Sequence, residues 1–282
     1  MFDSNIVSKN FLAENSTISQ IKNNYLKNKP FPNIVIDNFF NDDFLNKILE
    51  EFPDLSKTSI SQEYKNKDEV KFANNDFKNF PENIKDLINF MNSDNFIEFL
   101  QNITSIKEKL IPDPELNGGG LHEIKSGGYL KIHTDFNKHP NLNLDRRINI
   151  LIYLNKNWKE SYGGDLQLWD KNMEKCEKKI FPMFNKMVIF STNDYSNHGH
   201  PDPIMCPNSI SRRSIALYYF SNGRPAHELN PDNIKNKTYF KNRAGYENES
   251  SYKKSGIKDF IRKFKIYNFL KKIEKKYLRT KK

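Results

Sequence analysis

The sequence predicts a mainly β fold with flanking helices, of sandwich or barrel type. Three observations carry this. From Gly118 onward the apolar period changes from 3.6 to two. Short strand-like runs then follow at 121–125, 129–135, 148–154, 165–169, 178–181, 187–191 and 213–220. Turn residues separate several of them: Ser126-Gly127-Gly128, Gly163-Gly164, Asn185-Lys186 and Pro207-Asn208.

The elements can be justified in chain order. Residues 1–29 alternate weakly and read as a loosely attached leader. Pro30 and Pro32 mark a clearer start, and Ile34-Val35-Ile36 is a short β-branched strand. Asn41, Asp42 or Asp43 can cap a helix carrying Phe44, Leu45, Ile48, Leu49 and Phe52, which Pro53 ends. Residues 55–80 are charged and weakly patterned and read as loop. Pro81 suits a first helical turn, with Ile84, Leu87, Ile88 and Met91 as one stripe. Ser93 restarts the pattern for Phe96, Ile97, Phe99, Leu100 and Ile103. Pro112 and Pro114 close the helical part. The triple glycine Gly118-Gly119-Gly120 lacks a GK[ST] ending and precedes a strand, so it reads as a turn rather than a phosphate loop.

Composition narrows the function classes. The 282 residues include 22 Phe and 13 Tyr, enough for a sizeable core. The formal charge is +10, but Lys253–Lys282 holds 13 basic and 2 acidic residues, leaving 32 basic against 33 acidic elsewhere. The body is nearly neutral, which gives no support to nucleic-acid binding. Cys176 and Cys206 form no zinc spacing and read as free thiols in a reducing cytoplasm. No secretory signal and no run of membrane-spanning length is visible.

Side chains on a strand alternate faces, so His133 and Asp135 of Tyr129-Leu130-Lys131-Ile132-His133-Thr134-Asp135 point the same way. The inward face then reads Tyr129, Lys131, His133, Asp135. A polar inward face is costly unless it meets a ligand or metal. His198 and His200 lie downstream, and either could return to the same barrel end. Two histidines and one carboxylate form the facial triad of non-haem Fe(II) oxygenases. Arg212 and Ser214 share a face on the next strand, with Arg213 the rival guanidinium.

Tyr129-x-x-x-His133-x-Asp135, Gly163-Gly164-Asp165-Leu166, Phe190 with His198-Gly199-His200, and Arg212-x-Ser214-Ile215 together resemble the Fe(II)- and 2-oxoglutarate-dependent dioxygenases, in their prolyl 4-hydroxylase-like branch. The likeness covers roughly 118–222, and Pro30–Phe39 is similar to the opening strand of such proteins. It implies a double-stranded β-helix (jelly roll) core over 113–222, a helical support region over 30–112, and a linker with a basic C-terminal helix over 223–282. It implies Fe(II) held by His133, Asp135 and His198. It also implies 2-oxoglutarate bound by Arg212, with Ser214 and Tyr129 adding hydrogen bonds. His198 fits the pattern better than His200, and the Arg-x-Ser spacing favours Arg212 over Arg213. Arg146, Arg147 and Trp169 are candidates for the substrate entrance, although core packing is the readier account of Trp169. The implied reaction is hydroxylation of a small-molecule or peptide substrate with release of succinate and CO2, and ascorbate as reductant. A carboxylate at Asp135 suits hydroxylation, since a halogenase would need that coordination position empty. The alternative is a catalytically silent jelly-roll binding protein, against which the complete set of His133, Asp135, His198 and Arg212 counts.

Residues 253–279 place Ile257, Phe260, Ile261, Phe264, Tyr267, Leu270, Ile273 and Tyr277 at helical spacing among lysines. This basic amphipathic helix is read first as docked on the body with a solvated Lys face. Contact with an anionic membrane surface is the second reading.

Overall fold

The structure, a computed structural model, describes residues 2–13, 17–231, 233 and 237–251. The basic segment 253–279 lies outside them, so the fold described is that of the unit ending at Ser251.

Five helices and thirteen strands are formed among the described residues. The helices are α1 (Lys9–Ala13), α2 (Thr17–Lys27), α3 (Asp42–Glu51), α4 (Glu82–Met91) and α5 (Asp94–Thr104). The strands are β1 (Asn33–Asp37), β2 (Gln62–Lys65), β3 (Glu69–Asn74), β4 (Ile111–Pro112), β5 (Gly120–Ile124), β6 (Tyr129–Thr134) and β7 (Asp145–Tyr153). They continue with β8 (Leu166–Trp169), β9 (Cys176–Ile180), β10 (Lys186–Ser191), β11 (Asn197–His200), β12 (Arg212–Ser221) and β13 (Tyr239–Phe240). All pair antiparallel in one curled sheet of order β1-β10-β7-β12-β5-β3-β6-β11-β8-β9. β2, β4 and β13 attach to β3, β12 and β6. This is the jelly-roll-like half-barrel that the resemblance implies, within the sandwich or barrel class that the strand pattern predicts.

The alternation of the central strands explains the layering. Ile148, Ile150 and Ile152 of β7, Ile215, Leu217 and Tyr219 of β12, and Met187 and Ile189 of β10 face the helices in the main core. Their alternates face the inside of the curl: Asn149 and Leu151, Ser214 and Tyr218, and Phe190 line the cavity there. Both faces are covered, which leaves continuous apolar runs at 150–153, 187–190 and 215–220. The helices supply the outer layer through Leu45, Ile48, Ile84, Leu87, Phe96 and Leu100. Asn41 caps α3, its Oδ1 accepting from the N–H of Asp43 at 2.9 Å and of Phe44 at 3.2 Å. Ser93 caps α5 in the same way.

Two expectations are corrected. The leader is not loosely attached, because α2 buries Ile21 and Tyr25, and the Tyr25 hydroxyl pairs with Ser191 Oγ at 2.7 Å. The segment 55–80 is not loop, because β2 and β3 form a hairpin whose second strand pairs with β5 and β6. Its charged sequence hid the strands. Pairing across the sheet holds them where propensity alone would not. The Asn66 side chain closes the turn, accepting from the N–H of Asp68 and Glu69.

Candidate active site

A cavity of about 240 Å3 opens inside the curl. Its walls come from β5, β7 and β12 on one side and from β6, β8 and β11 on the other, with the β2–β3 hairpin and β13 also contributing.

His133, Asp135 and His198 meet in this cavity, one ligand atom from each lying within 4.8 Å of the others. His198 stands opposite His133 across the β6–β11 pairing. The Nε2 atoms of His133 and His198 lie 3.5 and 3.4 Å from the two Asp135 carboxylate oxygens. Both Nδ1–H groups donate to backbone carbonyls, His133 to Lys131 at 2.8 Å and His198 to Ser196 at 2.9 Å. This fixes the tautomer and leaves each Nε2 lone pair facing the carboxylate, as metal ligation requires. Phe240 packs on His133 and Phe190 on His198, holding the rings.

Asp135 is held from behind. Its Oδ2 accepts from Asn149 Nδ2 at 2.7 Å and lies 3.1 Å from the Arg146 guanidinium. Burial alone would raise this carboxyl, but the Arg146 guanidinium leads the charges that outweigh it and hold it well below the usual carboxylate range. Arg146 is itself fixed over the Tyr218 ring, 3.4 Å from its centroid. Burial pushes His198 down to about 4 against the pull of Asp135, so the ring is neutral and able to bind a metal at neutral pH.

Arg212 is buried, and no carboxylate lies within ion-pair distance of it among the described residues. Its Nε donates to the Gly164 carbonyl at 2.9 Å and its Nη2 to the Tyr153 hydroxyl at 3.1 Å. Gly164 (φ +78°) sits so close that a Cβ would lie 3.1 Å from Arg212 Cδ, which accounts for the glycine pair before Asp165. Ser214 lines the same cavity. Arg213 instead points to Glu123, 3.4 Å away.

Tyr129 does not join them. It does not line the cavity, and its hydroxyl donates to the Asn66 carbonyl. The reason is an irregularity in β6. His133 and Leu130 oppose His198 and His200, so three steps on one strand meet two on the other. The alternation slips there, and Leu130 lines the cavity in place of Tyr129. Lys131 reaches outward to the Pro201 carbonyl. Of the entrance candidates, Arg146 lines the cavity, whereas Arg147 is tied to Glu108 and Trp169 packs with Ile132 and Met173. His122, Asn149, Tyr218 and Phe240 were missed as site residues. Asn149 carried a signal, being a polar residue in the otherwise apolar run Ile148–Tyr153.

Residues 119–220 match the family model of the 2OG-Fe(II) oxygenase superfamily. Over these residues the chain resembles a 2OG-Fe(II) oxygenase domain. Its fold is shared with a Trichoplax adhaerens prolyl hydroxylase, solved in complex with a hypoxia inducible factor oxygen degradation domain peptide fragment. That match has a TM-score of 0.54 and 19% identity, and covers 73% of this chain and 91% of the other. A Pseudomonas putida prolyl-4-hydroxylase matches with a TM-score of 0.50 and 12% identity over 73% of this chain and 100% of the other. The fold is thus shared with prolyl hydroxylases, and the Fe(II) and 2-oxoglutarate of the matched superfamily fit what the cavity offers. The three ligand atoms converge. A buried guanidinium without a carboxylate stands in the same cavity region, as a dicarboxylate cosubstrate requires.

Proposed function

We propose that this chain is a hydroxylase that couples oxidation of a substrate C–H to conversion of 2-oxoglutarate into succinate and CO2. The observation that carries this is the His133–Asp135–His198 group opening into the same cavity as the unpaired Arg212. When bound, Fe(II) and the 2-oxo acid supply the oxidative chemistry.

The chain's own residues bind, orient and shield. His133 Nε2, His198 Nε2 and one Asp135 oxygen hold the metal. Arg146 and Asn149 engage the other Asp135 oxygen, which presents the carboxylate through a single atom. Arg212 takes the far carboxylate of the cosubstrate, and its hydrogen bond to Tyr153 leaves that hydroxyl proton free to be donated to the same group. Ser214 adds a further hydroxyl. Leu166, Leu151 and Phe190 form the apolar wall that excludes water.

The substrate enters past the β2–β3 hairpin and the strap carrying β13, where Tyr64, Glu69, Lys71, Thr238 and Phe240 stand at the cavity. A peptide or a small molecule fits such a mouth, and peptidyl proline is the first class to test. The decisive experiment incubates the protein with Fe(II), 2-oxoglutarate and ascorbate, with ascorbate proposed as reductant. Succinate is measured, and peptide and metabolite pools are profiled for products heavier by one oxygen atom. Succinate formation that is lost in Asp135→Ala supports the reading. No succinate with any pool, together with no Fe(II) binding, supports a silent binding protein instead.

A further inference from the structure

His200 is the least satisfied side chain in the cavity. It is only 3% exposed, yet both ring nitrogens are buried with no hydrogen-bond partner. A neutral imidazole carries one donor and one acceptor, and leaving either dry inside a protein is costly. The ring is not a member of the metal group, which consists of His133, Asp135 and His198 among the described residues. It lines the same cavity as Arg212 and Ser214. Gly199 makes this placement possible: a Cβ there would lie 2.7 Å from the Leu130 carbonyl oxygen and 2.8 Å from that of Lys131, so β11 approaches β6 closely at this point. A second orphan stands nearby on β5, where His122 Nε2 is buried without a partner and its residue pairs with Ser214 of β12. The polar end of the cavity is therefore built for a ligand richer in hydrogen-bonding atoms than a metal ion alone.

We propose that His200 is a cosubstrate-binding residue, donating a ring N–H to a carboxylate oxygen of 2-oxoglutarate beside the Arg212 guanidinium. This rests on the 2-oxoglutarate reading above. The imidazole adds direction to a site where the guanidinium alone supplies charge. It also gives a dicarboxylic 2-oxo acid an advantage over a monocarboxylic one such as pyruvate. Two residues from one tetrapeptide strand then serve both ligands: His198 the metal and His200 the 2-oxo acid.

The test compares wild type, His200→Leu and His200→Gln. Fe(II) affinity is measured alone, then 2-oxoglutarate affinity on the Fe(II)-loaded protein without oxygen. The expected result is 2-oxoglutarate binding weakened about 10- to 100-fold in His200→Leu, partly restored in His200→Gln, with Fe(II) affinity unchanged. In wild-type protein loaded with Zn(II), 2-oxoglutarate should bring out a ring N–H resonance that is absent from His200→Gln. This last measurement needs no apolar variant to fold. Unchanged 2-oxoglutarate affinity in His200→Leu, or a parallel fall in Fe(II) affinity, overturns the assignment. Failure of wild type itself to bind 2-oxoglutarate overturns instead the reading on which it rests.

Discussion

Arg212 shows what a single buried charge is for. A guanidinium buried without a carboxylate is expensive, and its remaining contacts are one carbonyl and one phenol. Arg212→Leu should therefore leave the fold intact while raising the KM for 2-oxoglutarate about 10- to 100-fold, read from succinate formation against cosubstrate concentration. The buried imidazoles make a different prediction. Burial holds His122 at about 3 and His198 at about 4, both below the unfolded value of about 6.5. In between, the unfolded chain takes up protons that the folded chain refuses. Stability is full above about pH 6.5 and declines as pH falls toward 4, by about 1 kcal/mol per pH unit for each ring. Urea unfolding of the metal-free protein at pH 7 and pH 5.5 checks this, and His122→Asn should flatten the slope. Period-two spacing puts His133 and Asp135 on one face in the sequence, and both line the cavity, whereas the choice of Arg212 over Arg213 comes from the Arg-x-Ser resemblance. Tyr129 could not be placed by spacing, because a bulge between it and His133 breaks that period without any mark in the residues.

At the scale of elements, the site depends on β11, a strand with no β-branched residue that is held only by its neighbours. Its His198 pairs with His133 on one side and Leu168 on the other. Gly199→Ala forces a Cβ into the backbone of β6, so it should cost about 2 kcal/mol and weaken Fe(II) binding by displacing His198. Thermal unfolding together with Fe(II) titration separates the two effects. The same dependence on neighbours explains which elements could be read in advance. α3, α4 and α5 announce themselves by caps and apolar stripes, and β7, β10 and β12 by apolar runs. β3 and β11 are held as strands by partners distant in the chain, which periodicity does not register, and the charged β2 is held by its hairpin with β3. Thr17–Lys27 lies in the stretch that reads as a loose leader, and its helical order comes from packing Ile21 and Tyr25 against the core.

For the whole molecule, the division is between a nearly neutral unit that carries the cavity and a strongly basic C-terminal segment. Among the described residues, the proposed metal ligands and the cavity lining lie within 2–251. A protein ending at Ser251 should bind Fe(II) and 2-oxoglutarate with unchanged affinity, measured by calorimetry. No helix among the described residues is long and apolar enough to cross a membrane. Half of the architecture was legible because a curled sheet with both faces covered writes apolar runs into its central strands. The strap carrying β13 was not, since Tyr239 and Phe240 sit in a polar stretch and pair with Thr134 and His133 only in the folded chain. In the proposed reaction one ferrous ion and one 2-oxo acid share the cavity between His133, Asp135, His198 and Arg212. Anaerobic titration with Fe(II) and 2-oxoglutarate, followed by visible absorption, tests this. The charge-transfer band of an iron-bound 2-oxo acid should saturate at one equivalent in wild type and be absent in Asp135→Ala. A wild-type protein that shows no band, or an Asp135→Ala variant that keeps it, would contradict the account.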